Sequence, residues 1–371
     1  MNENGKGFKI FRMGEVQDGR LIDTGLMKYA DISRKEFEQY RLQSGDVLFN
    51  RTNSFELVGK TGIFDLDGDY CFASYLVRLN FDRKKIVPEF LNYFMNSERF
   101  QKSVKAKASQ SINQANINAT ILRNEPISFP EPLPEQRRIV GILDGAFEGI
   151  ATAKANAEKN LQNARALFES HLQSVFTQQG EEKKLSEVCA ITSTLVDPRK
   201  VEFLDLTHVG AGNIESRTGT FVDLKTAREE GLISGKFLFD KSMVLYSKIR
   251  PYLMKVARPS FDGLCSADMY PLAPFPKEIT RDYLFHLLLS KRFTDYAIEG
   301  SARAGMPKVN REHLFEFKVS LPSVKEQAKL AAQLDDLHEQ TQRLASIYQQ
   351  KLAALDELKK SLLHQAFSGE L

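Results

Sequence analysis

Glu135–Phe176 occurs twice in this chain. Shifted forward by 191 positions it lies on Glu326–Phe367 without a gap. Ten of the 42 positions are identical: Glu135, Gln136, Leu143, Asp144, Glu148, Leu161, Leu167, Ser170, Leu172 and Phe176 meet Glu326, Gln327, Leu334, Asp335, Glu339, Leu352, Leu358, Ser361, Leu363 and Phe367. Unrelated sequences of average composition share roughly two or three. Solenoid repeats run ~20–50 residues, so a spacing this long marks a duplicated half-molecule.

Each copy carries apolar residues at steps of three and four. The first places Ile139, Leu143, Ala146, Ile150, Ala153, Ala157, Leu161 and Ala164 on one stripe; the second places Leu330, Leu334, Leu337, Thr341, Leu344, Tyr348, Leu352, Leu355 and Leu362 in the same phase. Such a heptad-like seam predicts a long helix. Neither copy has an interior proline, and each opens with one (Pro134 before Glu135, Pro322 before Glu326), where a helix can start. At ~1.5 Å per residue each helix spans roughly 60 Å. A seam cannot be buried alone, so the two helices are expected to pair as an antiparallel coiled coil about an internal pseudo-twofold.

The rest of the chain is two globular segments of β-like runs and turns. The first holds Asp46–Phe49, Tyr75–Leu79 and a helical stretch at Pro88–Phe100; the second spans 184–320, after a polar linker at Gln178–Lys183. They resemble each other loosely. An offset of 194 puts Cys71-Phe72-Ala73-Ser74 on Cys265-Ser266-Ala267-Asp268 and Asn116 on Asn310, and a one-residue slip puts Met95–Phe100 on Leu288–Phe293. The expected class is α+β, with domains 1–131, 132–179, 180–320 and 321–371. With 371 residues, 42% hydrophobic and 27% charged, the chain can bury two or three cores. No apolar run reaches membrane-span length. Cys71, Cys189 and Cys265 show no metal-like pairing and point to the reducing cytoplasm.

Catalytic patterns are missing. Gly59-Lys60-Thr61 lacks the earlier glycine of a phosphate loop, since position 54 is Ser54. Asp65, Asp67 and Asp69 begin like a calcium loop, but Tyr70 and Leu76 stand where glycine and glutamate are needed. The six histidines show no zinc spacing. Four windows are instead basic and free of acids: Arg99–Arg123, Leu48–Ser54, Lys241–Phe261 and Ser301–Arg311. The first and fourth occupy equivalent places in the two halves, as do the second and third. Amides and guanidinium forks pair with adenine and guanine edges, while lysines neutralise phosphate. The candidate DNA contacts are Arg51, Asn53, Lys105, Gln110, Asn113 and Gln114 in the first half, and Lys248, Arg250, Tyr252, Arg303 and Lys308 in the second. Any one window alone is equally an ordinary solvated loop.

Three stretches resemble the specificity (S) subunits of type I restriction–modification enzymes: Leu133–Val140 at the entry to the first long helix, Lys184–Cys189 at the opening of the second globule, and Ser361–Leu371 at the end of the chain. The resemblance implies two target-recognition domains, each reading one half of a split, asymmetric site on double-stranded DNA. It implies paired helices that set the spacing and dock two methyltransferase (modification) subunits, which bind S-adenosylmethionine, with restriction motor-nuclease subunits able to join. It implies no catalysis by this chain; the lack of a membrane-span run predicts no membrane association. About twenty residues, Lys184 to Phe203, precede the part of the second globule that resembles Phe8 onward. The first globule lacks them; either the start is truncated or another segment, such as the tail after Phe367, closes it. The competing reading is a coiled-coil scaffold without sequence-specific DNA reading.

Overall fold

The two copies of the repeat are single helices, Leu133–Val175 and Val324–Ser368. They belong to a computed structural model that describes residues 1–112, 114–177, 181–301 and 307–371. The chain divides into two units, each an α+β body. Unit 1 is Met1–Glu158 with Gln349–Leu371, and unit 2 is Lys159–Tyr348.

In unit 1 the strand Val47–Asn50, buried along its whole length, lies between the antiparallel strands Thr61–Ile63 and Leu76–Arg78. A second sheet places Phe8–Phe11 between Lys28–Ala30 and Tyr70–Phe72. The stretch expected as one helix from Pro88 is two, Pro88–Asn96 and Glu98–Ala106, because Ser97 leaves the helical conformation and its hydroxyl caps the second helix at Phe100. Phe90, Leu91, Phe94 and Met95 then pack on Ile139, Val140 and Leu143 of the first long helix and Leu363 and Ala366 of the second. Within this unit the helices run antiparallel: Arg138 donates to the Leu371 carbonyl at 2.9 Å, and Lys154 pairs with Asp356. Phe367 stands edge-on to Phe90 and Phe94, and Leu371 packs against the same core, so the tail contributes to this unit.

Unit 2 repeats the plan. Val244–Ser247 lies between Val256–Ala257 and Met269–Pro274, and Thr207–Val209 runs parallel to Gly263–Cys265. Ser290 separates helices Arg281–Leu289 and Lys291–Glu299 as Ser97 does in unit 1, and its hydroxyl accepts from Phe293. Leu172, Val175 and Phe176 share a core with Leu330, Ala331 and Leu334. The segment expected to be a polar linker is in part a strand. Glu181–Lys184 pairs antiparallel with Lys318–Leu321, and Lys183 reaches Glu278 at 2.5 Å. Its polar side chains hide a backbone that pairs through N–H and C=O groups.

The seam follows the expected stripe closely. Among its positions Leu143 and Leu334 are fully buried, Leu161 and Leu352 half-buried, and only Leu344 is exposed. An α-helix drifts about 20° per heptad against a strict 3.5 repeat, and Ala345 takes the inward place instead.

Two repeated residues fix each helix to its own globule. Gln136 is wholly buried; its Oε1 accepts from Val87 N–H at 2.8 Å and its Nε2 donates to the Lys85 and Pro130 carbonyls at 2.8 and 2.7 Å. Gln327 does the same with Thr280, Glu278 and Pro322 at 2.9, 2.8 and 3.0 Å. Asp144 accepts from the Tyr93 hydroxyl at 2.5 Å. Its counterpart Asp335 accepts from His286 at 2.8 Å and from both ends of the Arg258 guanidinium at 2.7 and 3.0 Å.

Hydrogen bonds correct two of the sequence equivalences between the globules. Ala73 N–H donates to Phe11 O as Ser266 N–H does to Val209 O, which puts Phe72, not Cys71, on Cys265. Asn118 and Asn310, rather than Asn116 and Asn310, cap equivalent helices through the N–H groups of Ile121 and His313. Cys71 and Cys265 both sit in covered sheets that favour a small apolar residue, so matching one cysteine to the other shifts the alignment by one place.

Candidate nucleic-acid interface

The two basic windows of each half, distant in sequence, are joined backbone to backbone. In unit 1 the chain leaves the buried strand at Asn50. Arg51 donates its N–H to Tyr75 O at 3.1 Å and its carbonyl accepts from Ile117 N–H at 2.9 Å. Thr52–Asn53 then pairs with Gln114–Asn116, which pairs with Ser109–Ser111, giving a three-stranded sheet with Ala115 between Asn53 and Gln110. Asn116 Nδ2 donates to Thr52 Oγ1 at 2.7 Å. Ala115 and Ile117 anchor the sheet in the core, while Gln110 and Gln114 are exposed. Asn113 lies outside the described residues.

The cations here are not equivalent. Lys105 donates to Glu56 O at 2.7 Å, tying the end of its helix to the turn after Asn53. Burial, and then Lys60 beside it, hold its ammonium below the ordinary lysine value. A lysine has three donors, so two remain for a ligand. Lys102 pairs with Glu98 at 2.5 Å and Lys107 with Glu125 at 2.6 Å, acids that flank the acid-free stretch. Arg51 and Lys60 have no carboxylate partner among the described residues. Asn53 folds its Oδ1 back on Ser54 N–H at 2.8 Å; it lines, with Lys60, a shallow cleft of about 340 Å³.

In unit 2, Lys248 takes the place of Arg51: its N–H donates to Asp268 O at 3.1 Å and its carbonyl accepts from Val309 N–H at 2.8 Å. Ile249 bridges Lys308, and Arg250 N–H reaches Pro307 O at 2.9 Å. The third and fourth windows therefore meet as the second and first do. Arg250 and Met254 have left-handed backbones, φ 49° and 50°, on either side of the turn Pro251–Leu253. For residues with a Cβ this conformation costs roughly 1–2 kcal/mol each. The strained turn presents Tyr252, which is 49% exposed. The Lys248 ammonium sits over the Tyr270 ring, donates to Ala267 O and lies 3.8 Å from an Asp268 carboxylate oxygen; burial, then Lys308, lower its pKa, with Arg311 adding to the effect against the pull of Asp268. Arg303 lies outside the described residues.

Lys60 and Arg311 join these edges although neither is among the contacts expected from sequence. Lys60 stands in what looks like a broken phosphate loop, and Arg311, a helix residue following its cap, closes the fourth basic window. Arg258, by contrast, leaves the basic face: it pairs with Asp282 at 2.8 Å as well as Asp335, and lies 4.1 Å over the Phe285 ring. Among the described residues no group of three or more His, Cys, Asp or Glu side chains could hold a metal ion.

Residues 2–162 and 179–352 both match the type I restriction modification DNA specificity domain. The EcoDI specificity subunit of Escherichia coli is 35% identical over 188 residues, covering 51% of this chain and 41% of that protein. The EcoKI specificity subunit of Escherichia coli is 27% identical over 177 residues, 47% of this chain and 37% of that one. These alignments thus span about two fifths of the relatives. The MjaVIII specificity subunit of Methanocaldococcus jannaschii is 21% identical over 95% of this chain and 84% of its own. Among solved structures, the HsdS subunit from Thermoanaerobacter tengcongensis has the same fold, with a TM-score of 0.61 at 19% identity, covering 98% of this chain and 91% of that one. A chain from a structural study of type I R-M complex assembly and conformational transition reaches 0.75 at 18% identity, covering 98% and 92%.

Proposed function

The chain belongs to the type I restriction–modification DNA specificity family, and from that premise we propose that it is the DNA-reading subunit of such a complex. Each unit reads one half of a split, asymmetric site. One observation carries this: in each half the fold sews two separate basic windows into one edge, where cations stand beside exposed amides or an exposed tyrosine. Arg51, Asn53, Lys105, Gln110, Asn113 and Gln114 contact the first half-site; Lys248, Arg250, Tyr252, Arg303 and Lys308 contact the second. Arg51 and Arg250 supply guanidinium forks for guanine or phosphate, Gln110 and Gln114 supply amides for adenine, and the lysines neutralise the backbone.

The long helices set the spacing between half-sites and dock two methyltransferase subunits. Those partners, not this chain, bind S-adenosylmethionine and perform the chemistry, and motor-nuclease subunits can join them. The complex acts in the cytoplasm. That placement is supported by three free, buried cysteines, whose thiols burial pushes up to about 11 for Cys71 and about 12 for Cys189 and Cys265. No helix among the described residues is long and apolar enough to cross a membrane.

Methylome sequencing of a host with and without the gene tests the reading. One bipartite methylation motif should vanish with the gene. Gln114→Ala should relax one half of that motif and Arg250→Ala the other, each by ~1–3 kcal/mol of discrimination. Four residues added to both long helices should lengthen the spacer and leave the halves unchanged. An unaltered methylome on deletion would overturn the proposal.

A further inference from the structure

We propose that Ile112 is an apolar wedge that enters the base stack of the half-site read by unit 1, an inference that rests on the DNA-reading role above. Ile112 is 100% exposed, more than any other large apolar side chain among the described residues. It sits at the end of a hairpin whose last strand pair is Ser111 opposite Gln114. The strands beside it offer no apolar surface to lean on: Ser109, Gln110, Ser111 and Gln114 are all exposed and polar. A single exposed isoleucine on a flank needs no explanation. One in the turn of a polar ribbon, wholly exposed, is placed to meet something else.

The strands that carry Ile112 are anchored in the core and to a neighbouring strand. Ala115 and Ile117 are each 1% exposed and pack with Phe49, Val58, Phe100 and Val104. Thr52–Asn53 pairs along the Gln114–Asn116 side of the ribbon, and Asn116 clamps Thr52. Isoleucine adds stiffness of its own, since branching at Cβ restricts χ1. No Asp or Glu occurs from Arg99 to Asn124, so the ribbon can approach phosphates unopposed. A two-stranded ribbon fits a DNA groove, and isoleucine is among the side chains that part stacked bases and kink a duplex. The ribbon thus divides its functions. The amides on its flanks read base edges, and the stiff apolar tip opens the step between them.

The test uses the full chain assembled with its partner subunits and a duplex carrying the mapped motif, with 2-aminopurine walked along the first half-site except at the methylated base. Binding is followed by anisotropy and unstacking by 2-aminopurine fluorescence. The wild type should bind and raise the fluorescence several-fold at one step. Ile112→Ala should still bind, within about tenfold, and lose the rise; Ile112→Leu should restore it. Binding without a rise at any step, or a rise that survives Ile112→Ala, would overturn the wedge while leaving DNA reading intact. Loss of Ile112-dependent affinity on replacing thymine by uracil, with no unstacking, would overturn it in favour of contact with the thymine methyl group. Absence of binding by the wild type would overturn the DNA-reading role itself.

Discussion

Gln136 and Gln327 show how much a single buried amide can decide. Each satisfies one N–H and two carbonyls at the start of a long helix, with no exposure to water. A buried group left without its partner costs about 1–3 kcal/mol. Gln327→Ala should therefore lower the urea midpoint of unit 2 by the equivalent of at least one such group. Glu326→Ala, one residue away and half-exposed, should stay within about 0.5 kcal/mol. Equal effects of the two substitutions would mean the amide holds nothing. Both glutamines are visible in the sequence as identities, but their role is not. Two of the three backbone partners of each lie some fifty positions away, which no side-chain pattern reveals. The same limit applies to Arg258, which belongs to a basic window in sequence and to two carboxylates in space. Arg51 and Lys248 are legible as cations, yet their equivalence rests on the peptide groups they share with Tyr75 and Ile117, or Asp268 and Val309.

The long helices are the most legible elements, since a seam repeats one physical demand many times and a single exception, Leu344, barely alters it. The small strands are the least legible: a run such as Glu181–Lys184 forms a strand by backbone pairing alone. The docking of a long helix on its globule also differs between the halves in a way that side-chain identity does not foretell. In unit 1 the helix carboxylate Asp144 meets Tyr93, whose hydroxyl burial holds well above its ordinary pKa, so it stays neutral. In unit 2, Asp335 faces His286 and Arg258 and, further off, His338, while Asp282 on the neighbouring helix pairs with the same Arg258. Burial outweighs the pull of Asp335 and holds His286 below the ordinary histidine value, while His286 and Arg258 hold Asp335 well below the usual carboxylate range, its own burial notwithstanding. Both shifts have the same consequence. Below about pH 6.5 the unfolded chain takes a proton that folded His286 resists, and below about pH 4 it takes another that Asp335 resists. Stability is full above about pH 6.5 and falls with acid, first through His286 and then through Asp335. The urea midpoint of unit 2 should drop between about pH 7 and pH 5, and this drop should be smaller in His286→Gln. A profile for the variant that parallels the wild type would assign the titration elsewhere.

At the scale of the whole molecule, the duplication, the two α+β bodies and their DNA-reading family are all legible in the sequence, because duplication is written in residue identities. How the chain is divided between the bodies is not written there. Unit 2 is one uninterrupted stretch, Lys159–Tyr348, whereas unit 1 takes Met1–Glu158 and then Gln349–Leu371 from the opposite end. On the ribosome this makes the two unequal. Unit 2 has all its parts once Tyr348 has emerged. Unit 1 must carry the core of Phe90, Phe94, Ile139 and Leu143 without its share from Leu363, Ala366 and Phe367 until these are translated. At ~5–20 residues per second the wait from Glu158 to Phe367 is roughly ten to forty seconds. A chain stopped after Tyr348 should leave a protease-resistant unit 2 and a digested unit 1; resistance of both would show that the last helical turns are dispensable. An incomplete translation product is thereby marked by its own sticky, unfinished first half. The segment Gln349–Leu371 acts as a check on unit 1, which is whole only once that segment has been made.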